Sequence, residues 1–233
     1  MQDIEYANID KLQQEHFWYR ANNELVIKWL PKNKRQRILD AGCGPGGMVE
    51  LLQNFGDVIG IDIHPSAIKF AKQKNINVIR ANVNKLPFAN MSFDLIVCLD
   101  VLYHKGVNIN KAVSEFHRVL RPGGRLILRV PAFESLRGSH DEIVHTAQRF
   151  TTYDIERLIK PGFAIYKLTY FNFLLFWPIW LWRKTNSSKS SDVFLPHPIV
   201  NFILYHLLRF ESKIVEWVNL PLGTSVYCLA QRL

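Results

Sequence analysis

Only three of the 233 residues are cysteines, Cys43, Cys98 and Cys228. They lack the close spacing of a metal site and do not form an even disulfide set, which predicts a reducing compartment. The N-terminal Met1-Gln2-Asp3-Ile4-Glu5-Tyr6 carries early acids and no apolar stretch, so no secretory signal is expected and the predicted location is the cytoplasm. Dense basic tracts are also missing: the formal charge is +9, but the basic residues are spread along the chain. That pattern reads as solvated surface rather than a nucleic-acid footprint. The chain has no Asn-Pro-Pro-Tyr base-flipping motif and no appended RNA-binding module, which further disfavours a nucleic-acid partner.

What is present suits one soluble core. A hydrophobic content of 48% over 233 residues is ordinary for a single globular domain. The densest signal is Ile38 to Gly47, I-L-D-A-G-C-G-P-G-G, in which an apolar strand end runs into a glycine-rich turn. Gly42, Gly44, Gly46 and Gly47 permit positive φ and close approach of a ligand to the backbone. Gly42, Gly44 and Gly47 also satisfy the dinucleotide pattern G-x-G-x-x-G, which is weak by itself. Asp40 separates the two readings, because a carboxylate here repels a pyrophosphate and suits a cofactor presenting an ammonium group, as S-adenosylmethionine does. Cys43, inside the turn, reads as a small filler.

Val58-Ile59-Gly60-Ile61-Asp62 is a second apolar strand ending in an acid, about 20 residues past the glycines, where a ribose-binding carboxylate is expected. Asp62 has a plainer alternative as N-cap of a helix starting near Pro65. A third strand over 76 to 80 leads to Asn82, a candidate acceptor for an adenine amine.

With these segments in order, and with Phe93 to Cys98 and Val119 to Leu128 after them, the chain resembles the class I S-adenosylmethionine-dependent methyltransferases over roughly residues 35 to 170. The resemblance implies S-adenosylmethionine as cofactor, held by Asp40, Gly42, Gly44, Gly46, Asp62, Ile63, Asn82, Val83 and Leu99. Asn82 stands where the family usually has Asp. The implied fold is α/β: a Rossmann-like, seven-stranded, mostly parallel sheet with its last strand antiparallel, helices on both faces, and a helical insertion before the last strand. The expected layout of this single domain is an N-terminal helical cover over 1–34, a cofactor-binding core over 35–170, the insertion over 171–222 and the last strand over 223–233.

The N-terminal segment Glu15 to Leu25 predicts a helix across the mouth of the site, with Arg20 as a candidate partner for the cofactor carboxylate. The insertion is far longer than a hairpin needs. Its first block, Tyr170 to Trp182, has thirteen residues interrupted by Pro178, too short to span a bilayer, which needs about 20. A Ser-rich, Lys-containing linker to Ser191 separates it from a second block, Phe194 to Phe210. The insertion is open to four readings: a helical pair packed on the core, a homodimer contact, a lid over a hydrophobic acceptor, or a peripheral membrane contact through 170–184.

Methyl transfer to oxygen or nitrogen requires alignment and, for many acceptors, a base, and histidine is the natural base at neutral pH. Three candidates follow the strand ends: His104 after the fourth strand, and His140 and His145 after the fifth. The segment carrying His140-Asp141, His145 and Arg149-Phe150-Thr151 resembles a pattern in one little-characterised branch of the family. No compact ligand set accompanies these histidines, so no metal is expected. The expected reaction is methylation of a small-molecule or lipid-like acceptor, with oxygen favoured over nitrogen or carbon. The alternatives are an NAD-type oxidoreductase and a regulatory or membrane-associated cofactor-binding protein without turnover.

Overall fold

The computed structural model describes residues 3–31, 35–185 and 195–233. The linker to Ser191 lies outside them. Seven strands form one sheet: β1 (Gln36–Ala41), β2 (Gly56–Asp62), β3 (Val78–Arg80), β4 (Phe93–Leu99), β5 (Leu120–Pro131), β6 (Phe163–Phe171) and β7 (Ser225–Arg232), in the order β3-β2-β1-β4-β5-β7-β6. The first five run parallel, and β7 slots antiparallel between β5 and β6.

The helices are α1 (Asp3–Glu15), α2 (Phe17–Lys28), α3 (Gly47–Leu52), α4 (Pro65–Gln73), α5 (Ile109–Val119), α6 (Ser139–Ile143), α7 (Thr152–Ile159), α8 (Phe176–Thr185) and α9 (Pro198–Trp217). Strand alternation sorts the apolar residues into two cores. Leu39, Ile96 and Cys98 face one side with Phe116 of α5 and Ile155 of α7, while Ile38, Leu95 and Val97 face the other with Leu25 of α2 and Val49 of α3. The segment Pro122-Gly123-Gly124 lies inside β5. It is a bulge within β5, where the register with β4 jumps from Phe93↔Leu120 to Leu95↔Arg125.

Between β6 and β7 the chain folds into α8 and α9. Asn201 of α9 binds α2 at its start, its Oδ1 accepting from the Phe17 amide at 2.8 Å and its Nδ2 donating to the Glu15 carbonyl at 2.9 Å. Glu211, fully buried on the same helix, accepts from the backbone amides of Phe173 and Leu174 at 2.9 and 3.1 Å, which fixes the turn leaving β6. Among the described residues no helix is long and apolar enough to cross a membrane.

The sheet order reverses between β1 and β4. In open α/β sheets a ligand crevice forms at such a switch point, beyond the carboxyl ends of the strands.

Candidate active site

A cavity of about 1400 Å³ opens at that switch point. Its floor is the strand ends: Asp40, Gly42, Cys43 and Gly44 after β1, Asp62 and Ile63 after β2, and Leu99 and Asp100 after β4. Asn82 and Val83 line it from the segment after β3. Phe17, Trp18 and Tyr19 of α2 cover one side, and Ile179, Trp182, Val200 and Leu204 of α8 and α9 close another.

Asp40 is the most unusual group on the floor. It is 2% exposed and its Oδ2 has no hydrogen-bond partner. Burial, with the nearby charge of Asp62, pushes its carboxyl up to about 7. A buried carboxylate without a partner is costly, and a cation placed against it relieves that cost. Asp62 is positioned by backbone: its Oδ2 accepts from the Gly44 amide at 3.1 Å and its Oδ1 from the His64 amide at 2.8 Å. Each oxygen keeps a second lone pair for a ligand hydroxyl. The cap of α4 is His64, whose side chain accepts from the Ser66 amide, so Asp62 is not spent as a helix cap.

The glycines divide into two kinds. Gly44 has φ +53°, and a Cβ built there meets nothing within 4 Å, so any side chain would project into the space where a cofactor belongs. Gly46, expected at the cofactor, does not line the cavity; a Cβ there would strike Ile76 Cδ1 at 2.5 Å, and its φ of +93° serves the start of α3. Cys43 is buried against Gly60, and burial beside Asp40 and Asp62 pushes its thiol far up, which makes it a filler and not a nucleophile.

Arg20 does not line the cavity. It points away from the cavity and lays its guanidinium 4.1 Å from the centre of the Tyr205 ring, because α9 packs along that face of α2. Among the cations that line the cavity is Arg129 of β5, 4% exposed, which pairs with Asp100, donates to Tyr227 Oη at 3.3 Å and lies 4.6 Å from the Trp18 ring centre. Sequence reasoning missed it. Its signal was a lone arginine within the apolar run Leu126 to Val130, since a charge in a buried strand requires a partner.

The histidines separate clearly. His104 lines the cavity, and its Nδ1 lies 2.7 Å from the Val144 carbonyl. A carbonyl only accepts, so Nδ1 carries the proton and Nε2 is the basic nitrogen of the neutral ring. His145 also lines the cavity but is exposed, with φ +56°, and its ring has no hydrogen-bond partner among the described residues. The His140 side chain lies outside the described residues. The Asp141 carboxylate is held by Arg149: Oδ1 and Oδ2 accept from Arg149 Nε and Nη2, both at 3.0 Å, and Oδ2 also accepts from the Gly138 amide at 2.8 Å. Thr151, two residues on, caps α7 in a reciprocal box with Asp154. Asp141, Arg149 and Thr151 therefore clasp this segment in place beside the cavity.

Residues 39–128 match the family described as the methyltransferase domain. A probable S-adenosylmethionine-dependent methyltransferase of Mycolicibacterium smegmatis is 29% identical over 67% of this chain and 63% of its own length. The matched segment, residues 39–128, carries a methyltransferase-domain sequence. The malonyl-[acyl-carrier protein] O-methyltransferase of Enterobacter lignolyticus is 31% identical over 53% of the chain and 50% of its own length. The chain thus spans about half to under two thirds of these curated relatives. A chain from the solved complex between the Haloferax volcanii Trm112 methyltransferase activator and a putative methyltransferase superposes with a TM-score of 0.67, at 16% identity, over 99% of this chain and 95% of that one. The same fold is therefore present at low identity. The match of residues 39–128 to the methyltransferase domain favours the methyl donor over the dinucleotide reading, in keeping with the paired acids Asp40 and Asp62. The cavity fits S-adenosylmethionine on the features already described: an unpartnered buried carboxylate for its ammonium and an open, side-chain-free approach at Gly44.

Proposed function

We propose that this methyltransferase methylates a small-molecule or lipid-like acceptor, at oxygen in preference to nitrogen or carbon. The observation that carries the proposal is the size and lining of the cavity. Pockets for a single drug-sized ligand run from about 300 to 1000 Å³, whereas this one reaches about 1400 Å³. Its floor is acidic and its upper walls are apolar, so the donor and an apolar acceptor have separate environments in one space.

On this reading Asp40 holds the donor's ammonium, Asp62 the ribose hydroxyls, and Asn82 with the Val83 amide the adenine edge, between Ile63 and Leu99. Asn82 Oδ1 already accepts from the Asn84 amide at 2.9 Å, which fixes the side chain and leaves one lone pair for an adenine amine. Bound S-adenosylmethionine supplies an electrophilic methyl group. The protein's own task is to align the acceptor and remove its proton. His104 suits that task because its Nδ1 is tied to the Val144 carbonyl, leaving Nε2 to take the proton of an acceptor hydroxyl. The malonyl-acyl carrier protein relative, an O-methyltransferase, supports oxygen as the target.

Incubating the purified protein with fractionated cell extract and methyl-labelled donor tests the reading. Label is expected in the organic or small-molecule fraction. Label confined to nucleic acid or protein would overturn the acceptor class, and donor-analogue binding without label in any fraction would support a regulatory cofactor-binding protein.

A further inference from the structure

The fold uses one face of α9 and leaves the opposite face apolar. Tyr205, Leu208, Ser212 and Val215 are buried on the packed side. On the outer side, Ile199, Ile203, Phe210 and Trp217 recur at helical spacing and are 65%, 57%, 59% and 86% exposed. A surface helix of a soluble domain normally carries polar residues there. Twenty residues of α9 make this stripe about 30 Å long. Helix α8 adds exposed Trp177, Leu181 and Trp182.

Two observations indicate what covers the stripe. First, it is continuous with the cavity: Trp182 and Val200 each line the cavity and are each exposed. Second, among the described residues its unpaired charge is basic: Lys184 and Lys213 are exposed on these helices, while Arg209 is paired with Glu24 at 3.5 Å. The two acids of α9 are engaged elsewhere, Glu211 on the amides of Phe173 and Leu174, and Glu216 on Lys28 at 2.7 Å. A second copy of the chain would bring a like-charged rim against this one, while an anionic headgroup layer complements it. Tryptophans beside basic residues suit the boundary between headgroups and acyl chains.

We propose that α8 and α9 form an interfacial face that docks on an anionic lipid bilayer, bringing the cavity mouth to the membrane surface. The docking goes beyond the methylation reading. Delivery of the acceptor from the bilayer rests on that reading, because it requires a lipid-like acceptor.

Flotation of the full chain with vesicles tests the docking without donor or acceptor, so it can fail or succeed independently of the enzymatic proposal. The chain is expected to float with vesicles containing phosphatidylglycerol, more weakly with pure phosphatidylcholine, and to be released by salt. The double variant Phe210→Ser/Trp217→Ser should lower partitioning about tenfold or more. The double variant Lys184→Gln/Lys213→Gln should lower it several-fold on the anionic vesicles alone. All four positions are exposed, and matching circular dichroism melts establish that the variants fold. Wild-type protein that stays with the pellet, or a Phe210/Trp217 variant that floats unchanged, overturns the proposal. So does a wild-type dimer in sedimentation velocity that this variant converts to monomer without altering flotation, since the stripe would then be a contact between copies.

Discussion

The carboxylate of Asp141 and the guanidinium of Arg149 meet in a two-pronged pair, 3.0 Å on each arm, with both side chains almost fully buried. Arg149 Nη1 also donates to the Ala132 carbonyl at 2.9 Å, so the pair ties the loop after β5 back to the end of that strand. Burial alone would raise the Asp141 carboxyl, but the hydrogen bonds and charge of Arg149 hold it below the usual range.

Arg149→Ala should therefore destabilise the protein by about 3–5 kcal/mol, because it leaves Asp141 buried and unpaired. Chemical denaturation measures this directly. His145→Ala, on the exposed tip of the same loop, should change stability little. Equal losses in the two variants would contradict the clasp.

Asp40 predicts a pH dependence with two opposite signs. Its folded carboxyl titrates near 7 against an ordinary value of 3.8, so its contribution to stability is complete below 3.8 and is lost as pH rises through 7. The loss amounts to roughly 4 kcal/mol in the cofactor-free protein. Asp40→Asn should therefore be more stable than wild type at about pH 8 and similar at about pH 4. Binding runs the other way. The ammonium of S-adenosylhomocysteine favours ionised Asp40, so wild-type affinity should rise by up to about tenfold per pH unit below 7 and then level off. Asp40→Asn should bind about 10–100-fold more weakly above pH 7, with that slope gone. Calorimetric titration across the range checks both, and a flat wild-type profile would remove Asp40 from ammonium binding.

His104→Ala should lower kcat by about 10²–10⁴-fold once an acceptor is in hand, while leaving S-adenosylhomocysteine binding unchanged. His145→Ala should retain the rate. If His145→Ala loses activity and His104→Ala keeps it, the roles of the two rings are exchanged.

Gly44→Val should abolish measurable cofactor binding, since its side chain enters the cavity. The cost of a left-handed non-glycine residue adds a stability loss of about 1–2 kcal/mol. Gly46→Val should instead act mainly on stability, through the contact with Ile76. Paired melting and binding curves separate the two glycines.

The acidic, glycine-lined floor of the cavity was legible in the chain because its parts are locally encoded. A strand end, a glycine turn and the next strand's terminal acid lie within 25 positions, Asp40 to Gly44 and Asp62, and parallel pairing of β1 with β2 brings them together. Strand alternation likewise determined the two-sided core, and the order of strands and helices the α/β class. Packing between remote segments decided the rest. Arg20 was the candidate cation in sequence and Arg129 was not, but α9 draws Arg20 onto Tyr205 while the sheet sets Arg129 at the cavity, paired with Asp100. Asp141 takes its partner from Arg149, eight residues on, a pairing that the sequence does not reveal. Hydrophobic pattern marked the insertion as apolar, and only the tertiary structure showed which face of α9 is buried and which is left open. Local sequence specifies backbone conformation and polarity within a few turns, whereas side-chain partners arise from contacts between segments distant in the chain.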